Sequence, residues 1–424
     1  MALFHNLGNG RFADITLAAG LNVELQGMGA AAGDFDGDGW PDLYVTCVGQ
    51  DRLFRNLGRG RFEDVTERAG LSDAENTWST GALWLDYDND GKLDLIVTHY
   101  ARWPREVELA TAFMVARVGR SYGAPAGFLG AFPTVYRNLG DGKFEALPGG
   151  AGLRDVDPQT GFPQAKALAV VPVDPNGDGR IDLMFSYHTA ETTLYLNNGD
   201  GVFRRWTGSL DRRREGASAN YALASSLPLV AADDGERYPV WQGLARRLGG
   251  GREVFLASKL GAALLDVDQD GRLDAVAGGD AIEADTNQVS DAAPMGGVAQ
   301  WWWNGGERWE SLTLGGREET LPPVMARGVA TLDFDGDGDR DVVVAQHRGS
   351  PRLWRNDRRA GLPWLRIELV AKHGPRDGTG ARVEVHTPRK ILVQTMMPQT
   401  SYLAQSESFL DFGLSEDARV QRIV

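Results

Sequence analysis

The sequence predicts an all-β chain, a β-propeller of short similar blades followed by a smaller β-rich module. Three observations predict it. One nine-residue acidic motif recurs five times, short apolar runs flank the copies, and a second repeat ending in Asn-x-Gly alternates with the first.

The acidic motif opens as DFDGDGWPD, which carries Asp34, Asp36, Asp38 and Asp42. It returns with Asp86, Asp88, Asp90 and Asp94, then with Asp174, Asn176, Asp178 and Asp182. Two more copies hold Asp266, Asp268, Asp270 and Asp274, and Asp333, Asp335, Asp337 and Asp341. Four carboxylates so close together repel one another unless a cation sits among them. Oxygens at positions 1, 3, 5 and 9, a backbone carbonyl near position 7 and a glycine at position 6 suit a hard ion. Calcium takes six to eight oxygens in flexible geometry, and the loop supplies about that number. The competing reading is an Asp/Gly-rich turn without an ion, which five copies of one spacing disfavour. The expectation is about five structural calcium ions, which would bring the formal charge from −14 to about −4.

The flanks decide what kind of loop this is. An EF-hand needs a glutamate at position 12, where Val45, Val97 and Phe185 stand. GAAAGDF, GALWLDY, GAALLDV and GVATLDF lead in, while LYVT, LIVT, LMFS and VVVA lead out. Short apolar runs rich in β-branched residues read as buried strands, so each motif is the turn of a β-hairpin.

The second repeat supplies two further strands. LFHNLGNGRFADITLAAGL (3–21) returns as LFRNLGRGRFEDVTERAGL (53–71), and more weakly at 135–153 and 194–206, with echoes at 301–312 and 353–356. An apolar strand ends at a tight Asn-x-Gly turn and an alternating strand follows. One unit is therefore four strands in about 50 residues, the signature of a propeller blade. Metal loops beginning at 34, 86, 174, 266 and 333, a degenerate blade around 204–258 and the half-unit at 1–26 favour seven blades over six or eight.

Composition narrows the function classes. Lys+Arg total 44 against Asp+Glu 58, which argues against nucleic acid as a partner. No apolar run approaches the roughly 20 residues that span a bilayer. The opening MALFHNLGNGRF lacks a basic stretch followed by an apolar one, so the expectation is a cytoplasmic chain, or an extracellular one had a signal been removed. Cys47 is the single cysteine; it follows a buried strand and reads as an inert core thiol, not a reactive one.

The chain resembles the FG-GAP/VCBS-type repeats of integrin-like propellers, whose Asp-x-Asp-x-Asp-Gly-x-x-Asp hairpins bind calcium. The alternating LFRNLGRGRFEDVTERAGL units narrow the likeness to ASPIC/UnbV-domain proteins related to cartilage acidic protein. The tail, LPWLRIELVAKHGPRDGTGARVEV and then QTSYLAQSESFLDFGLSEDARVQRIV, resembles the small ASPIC/UnbV module. The resemblance implies a propeller over 1–362 and a module over 363–424. That module is shortened, since the family's continues past the point where this chain ends at Val424. The insertion at 99–134 reads SYGAPAG where the family often has cysteines, and 278–285 reads GGDAIEAD where it often has Gly-His. These departures weaken a disulfide-supported extracellular role. A cysteine-poor member resembles the bacterial relatives encoded with enediyne polyketide biosynthesis.

Propeller geometry locates a second candidate site. The metal loops share one face, so the insertions at 99–134 and 279–300 decorate the opposite face, and loops on a rigid scaffold often carry binding. The residues opening the inner strands are Met28, Thr80, Lys166, Leu260 and Arg327, and those six beyond each ninth aspartate are Val48, Tyr100, His188, Asp280 and His347. Lys166, His188, Asp280, Arg327 and His347 thus form a candidate polar cluster at the channel mouth, able to hold an anion or pair a base with charged stabilisers. The plainer reading is solvated strand ends. His99 and Tyr187 have the opposite parity and should point away. Trp301, Trp302 and Trp303 are either a stacking platform or, more commonly, a strand packed between blades; Arg204, Arg205 and RRREG at 212–216 form a basic patch.

No nucleophile elbow, phosphate loop, zinc spacing or paired catalytic glutamates is apparent. The expectation is a calcium-stabilised binding or scaffold protein holding a small molecule or protein on the face opposite the metal loops, with natural-product biosynthesis as a setting. The alternatives are an enzyme acting on a hydrophobic or polyketide-like molecule at the channel mouth, and an extracellular adhesion-type protein.

Overall fold

Alternating apolar and polar residues around Asp-rich and Asn-Gly turns give antiparallel hairpins, and the hairpins join into sheets. The computed structural model describes residues 1–8, 10–71, 77–103, 114–115, 119–120, 129–156, 163, 166–173, 180–187, 193–206, 229–231, 237–239, 262–277, 300–304, 309–311, 326–346, 349–357, 363–372, 375–399, 404–414 and 419–424.

Blade one is a four-stranded antiparallel sheet of Gly27–Gly33, Asp42–Cys47, Arg52–Asn56 and Phe62–Asp64. Blade two repeats it with Thr77–Leu85, Asp94–Arg102, Thr134–Gly140 and Lys143–Ala146. Blade three holds Ala167–Val173, Asp182–Tyr187, Thr193–Asn197 and Phe203–Arg205. A hairpin of Leu229–Ala231 and Arg237–Pro239 falls within the span expected to hold a degenerate blade. Blade five is Ala262–Leu265, Asp274–Ala277, Gln300–Asn304 and Trp309–Ser311, and blade six is Ala326–Leu332, Asp341–Gln346 and Arg352–Trp354.

Successive blades pack face to face through their inner strands. Tyr44, Leu53, Trp84, Leu95 and Phe144 fill one interface; Leu83, Ile96, Leu183, Phe185 and Tyr195 fill the next; Leu265, Val276, Trp301 and Val344 fill that between blades five and six. Burying such side chains contributes about 1.5–3 kcal/mol each. Polar threads cross the same seams: Trp84 Nε1 donates to Ala31 O (3.2 Å), Thr46 Oγ1 to Thr80 O (2.9 Å) and Thr80 Oγ1 to Ala167 O (2.9 Å).

The N-terminal hairpin, Phe4–Gly8 with Arg11–Asp14, has the sequence of an outer hairpin but no inner strands beside it among the described residues. Phe4 is 59 % exposed, whereas Phe54, its counterpart in blade one, is fully buried. Gly10 lies against Phe334 of blade six, as Gly142 of blade two lies against Phe35 and Gly201 of blade three against Tyr87. The hairpin therefore stands next in the ring after blade six, as the outer half of a further blade.

The C-terminal residues form two small sheets, Trp364–Ile367 with Leu410–Gly413, and Arg382–His386 between Ile391–Thr395 and Arg422–Ile423. Val383, Val385, Leu392, Met396, Leu410 and Phe412 give this unit its own core. It sits on the metal-loop side of the ring, where Gln399 and residues 405–407 reach the inner strands. Gln405 bonds the N–H and C=O of Ala32 at 2.7 and 2.9 Å, Ser406 accepts from Thr331 N at 3.0 Å, and Gln399 donates to Ala82 O. Among the described residues, no helix is long and apolar enough to cross a membrane.

Candidate metal centres

Each acidic loop joins an inner strand to the second strand of its blade, and glycine lets it turn. Gly91, Gly271 and Gly338, at position six, have φ of +88°, +86° and +95°, a region that costs other residues strain. The loops gather three carboxylates apiece. In Asp34/Asp36/Asp42, Asp86/Asp88/Asp94, Asp266/Asp268/Asp274 and Asp333/Asp335/Asp341, one oxygen from each residue lies within 4.8 Å of the others. These groups could hold metal ions. Of the four ligand positions in the loop starting at Asp174, Asp182 alone lies within the described residues; Asp174, Asn176 and Asp178 lie outside them.

The ninth aspartate is the buried anchor. Asp94 Oδ2 accepts from Tyr87 N (3.3 Å) and its Oδ1 from Asn138 N (2.8 Å). The same pair of bonds recurs at Asp42, from Phe35 and Asn56, and at Asp341, from Phe334 and Asn356. Burial, reinforced by neighbouring loop carboxylates, pushes Asp42, Asp94 and Asp266 up to about 7. Asp34 is raised by the same cause, and its Oδ1 is buried without a hydrogen-bond partner. An orphaned carboxylate oxygen beside two more carboxylates is the environment a hard divalent cation satisfies. The residues fit such an ion.

Two further participants escaped the sequence reading. The Asn-x-Gly asparagines do more than turn the chain. Asn138 Nδ2 reaches Phe35 O, Asn197 Nδ2 reaches Tyr87 O and Asn356 Nδ2 reaches Val267 O, so each ties its own loop to that of the preceding blade. The residue before that asparagine faces the loop. Arg55 pairs with Asp36 and Asp38 (2.6 and 2.9 Å), Arg137 with Asp88 (3.0 Å) and Arg355 with Asp335 (3.7 Å), while Trp303 Nε1 donates to Asp268 (2.9 Å). The signal was present in the recurring Arg-Asn pair. Protein cations therefore offset part of the repulsion that the spacing alone assigned to metal.

On the opposite face, Lys166 is 6 % exposed, has no partner among the described residues, and is held below the usual lysine range by burial. Arg327 is half-buried with Nη1 at 3.4 Å from Ala326 O. His188, Asp280 and His347 lie outside the described residues, as do Leu260, RRREG at 212–216 and most of both insertions. Thr80 is buried and bonded between blades. His99 lies inside blade two, its Nδ1 at 3.0 Å from Ser79 Oγ and its Nε2 at 3.0 Å from Thr134 Oγ1, and burial holds it near 4. Tyr187 is buried against Phe185. Cys47 is a buried thiol pushed up to about 12 by burial. Trp301 is core, its ring tilted against that of Trp354 at 5.8 Å between centres, so this strand packs between blades. Arg204 and Arg205 pair with Asp200 and Asp155. Where the insertion at 99–134 begins, Trp78 lies 5.1 Å from Tyr100 and 5.7 Å from Trp103 between ring centres, with a buried indole N–H that has no partner among the described residues.

A ring of antiparallel blades with aspartate-rich hairpin turns defines the class: a repeat propeller with metal-capable loops. Residues 1–45 and 38–97 match the FG-GAP-like repeat, and residues 371–424 match the ASPIC and UnbV family. It is 27% identical over 246 residues to mouse (Mus musculus) cartilage acidic protein 1, covering 56% of this chain and 34% of that protein. The human (Homo sapiens) protein of that name is 28% identical over the same length, with 33% of it covered. The chain thus spans about a third of the curated relatives it matches. Among solved structures, an Agrocybe aegerita lectin that recognises non-reducing terminal N-acetylglucosamine aligns over 82% of this chain and 86% of its own, at 16% identity and a TM-score of 0.42.

Proposed function

We propose that the chain is a calcium-clamped propeller scaffold, divided near residue 362, that binds a small molecule or protein on the face opposite its metal loops. One observation carries the choice of face: Gln399, Gln405 and Ser406 already occupy the inner strands on the loop side. The Trp78, Tyr100 and Trp103 cluster and the buried Lys166 lie at the other ends of those strands. Aromatic faces and a buried cation at the same end of the inner strands suit a flat or anionic ligand. Polyketide-like molecules are the class to try first, on the resemblance to biosynthetic relatives. An extracellular setting would keep weak calcium loops filled, whereas a cytoplasmic one requires tighter loops.

Bound-metal analysis with thermal unfolding, before and after chelation, tests the clamp. About five calcium ions per chain and a lowered melting temperature on chelation are expected; a chain without calcium, or one indifferent to its loss, overturns it. A polyketide-like library read by thermal shift tests the face. Hits should vanish in Trp78→Ala and persist in Trp40→Ala, which alters an exposed tryptophan on the first metal loop; the reverse pattern overturns the assignment.

A further inference from the structure

The metal loops are not equivalent, and what divides them is the C-terminal unit. In loop 86–94, the first aspartate is bonded, among the described residues, by its own loop alone, Asp86 accepting from Asp90 N and Gly91 N. Asp34 accepts from Gly39 N. In loops 266–274 and 333–341 the same inward bonds are present, from Asp270 N to Asp266 Oδ1 and from Gly336 N and Asp337 N to Asp333 Oδ1. The second oxygen then takes a donor from the C-terminal unit. Gly413 N reaches Asp266 Oδ2 at 3.1 Å, and Arg366 Nη1 reaches Asp333 Oδ2 at 2.7 Å.

Close packing accompanies these bonds. Lys390 Nζ donates to Asp270 O at 2.7 Å. A Cβ on Gly271 would stand 2.6 Å from Gly413 O, and one on Gly338 would stand 2.2 Å from the Trp364 ring. The position-six glycines thus serve the turn and also seat the neighbouring unit.

We infer that the C-terminal unit is the outer shell of loops 266–274 and 333–341, and that its seating on the ring is linked to cation binding there. The inference rests on the calcium reading above. Charge gives the direction. Around loop 333–341 the unit adds Glu407 and Asp411 to five loop aspartates, Asp339 among them, and Arg340, Arg355 and Arg366 answer them. Seven carboxylates against three guanidiniums leave the seated junction acidic, so a divalent ion in the loop favours seating. Donors behind a ligating carboxylate fix its orientation and strengthen its hold on the metal, and the coupling is reciprocal. Arg366 is therefore a positioning residue, acting on the ion through Asp333.

Hydrogen exchange of the full chain along a buffered calcium series, with bound calcium measured in the same samples, tests the linkage. As free calcium falls, amides of 404–413 should lose protection before Thr77–Leu85 and Asp94–Arg102 of blade two. Arg366→Gln should move that release to about tenfold higher free calcium, with loops 34–42 and 86–94 filling as before; Arg366→Lys, which keeps the charge without the fork, should fall between. Calcium departure while 404–413 stays protected, or an unmoved release in Arg366→Gln, overturns the linkage alone. A chain that binds no calcium overturns the calcium reading and the linkage together.

Discussion

The side-chain amide of Gln405 pairs with both backbone groups of Ala32, accepting from its N–H at 2.7 Å and donating to its C=O at 2.9 Å. One side chain does there what a neighbouring strand would do. Just beyond it, Ser406 accepts from Thr331 N and Glu407 N donates to Thr331 O, so three consecutive residues bridge the inner strands of blades one and six. The N-terminal hairpin brings only outer strands to this seam, and the C-terminal unit closes it.

Gln405→Ala should therefore destabilise the chain by about 2 kcal/mol, since two backbone groups lose partners in a partly buried place. Chemical denaturation measures it, and a loss below about 0.5 kcal/mol would mean that water replaces the amide without cost.

Asparagine at the third-strand turn should matter by context. Asn138→Ala removes the bonds to Phe35 O and Leu93 O, both buried, and should cost about 2–4 kcal/mol. Asn6→Ala, at the matching position of the exposed N-terminal hairpin, should cost well under about 1 kcal/mol. Equal losses would sink the inter-blade role.

Acid stability should depend on His99. Its folded-state value near 4 lies below the ordinary 6.5, because burial disfavours the imidazolium. The unfolded chain takes up a proton that the folded chain refuses, so stability falls as pH drops from about 6.5 to 4, by about 3 kcal/mol in all. Ser79 and Thr134 flank the ring, and Asp51, raised to about 7 chiefly by burial, bonds the far side of Ser79. Asp51 acts in the opposite sense: the stability its retained proton supplies is full below about 4 and is lost as pH rises through about 7. Between about pH 4 and 7 the two contributions oppose each other, so in unfolding measured across pH, His99→Gln should make stability fall more steeply with rising pH than in the parent chain, and Asp51→Asn should make it rise more steeply.

Two glycines in one loop give an internal control. Gly336 and Gly338 both have positive φ, +76° and +95°, but only Gly338 lies under Trp364. Gly336→Ala should cost about 1 kcal/mol of backbone strain, and Gly338→Ala clearly more, with loosened protection of Trp364–Ile367 by hydrogen exchange.

Much of this was legible in the residues. The nine-residue spacing located the loops, and the apolar runs beside them gave the hairpins, because strand period and turn chemistry are local. The four-strand unit followed from the alternation of the two repeats. What was not legible depends on residues far apart. The Arg-Asn pair recurs in the sequence, but which carboxylates Arg55 faces, Asp36 and Asp38, is set only once the third strand lies beside the loop. The seating of Arg366 on Asp333 is of the same kind, fixed by how the C-terminal unit meets the ring and not by any motif. The opposite-face cluster stands half in view: Lys166 is buried as a functional cation could be, while its expected companions His188, Asp280 and His347 lie outside the described residues.

The bond between Ala32 and Gln405 joins residues 373 positions apart. A ribosome releases the first blade long before it releases the side chain that caps that blade's edge. Through most of synthesis the nascent chain carries an open sheet edge, the kind that recruits stray strands from other chains. Premature termination anywhere before residue 405 would leave it open for good. The closing contact also spans nearly the whole contour of the chain, so its loop entropy is met last and makes completion a slow, late event.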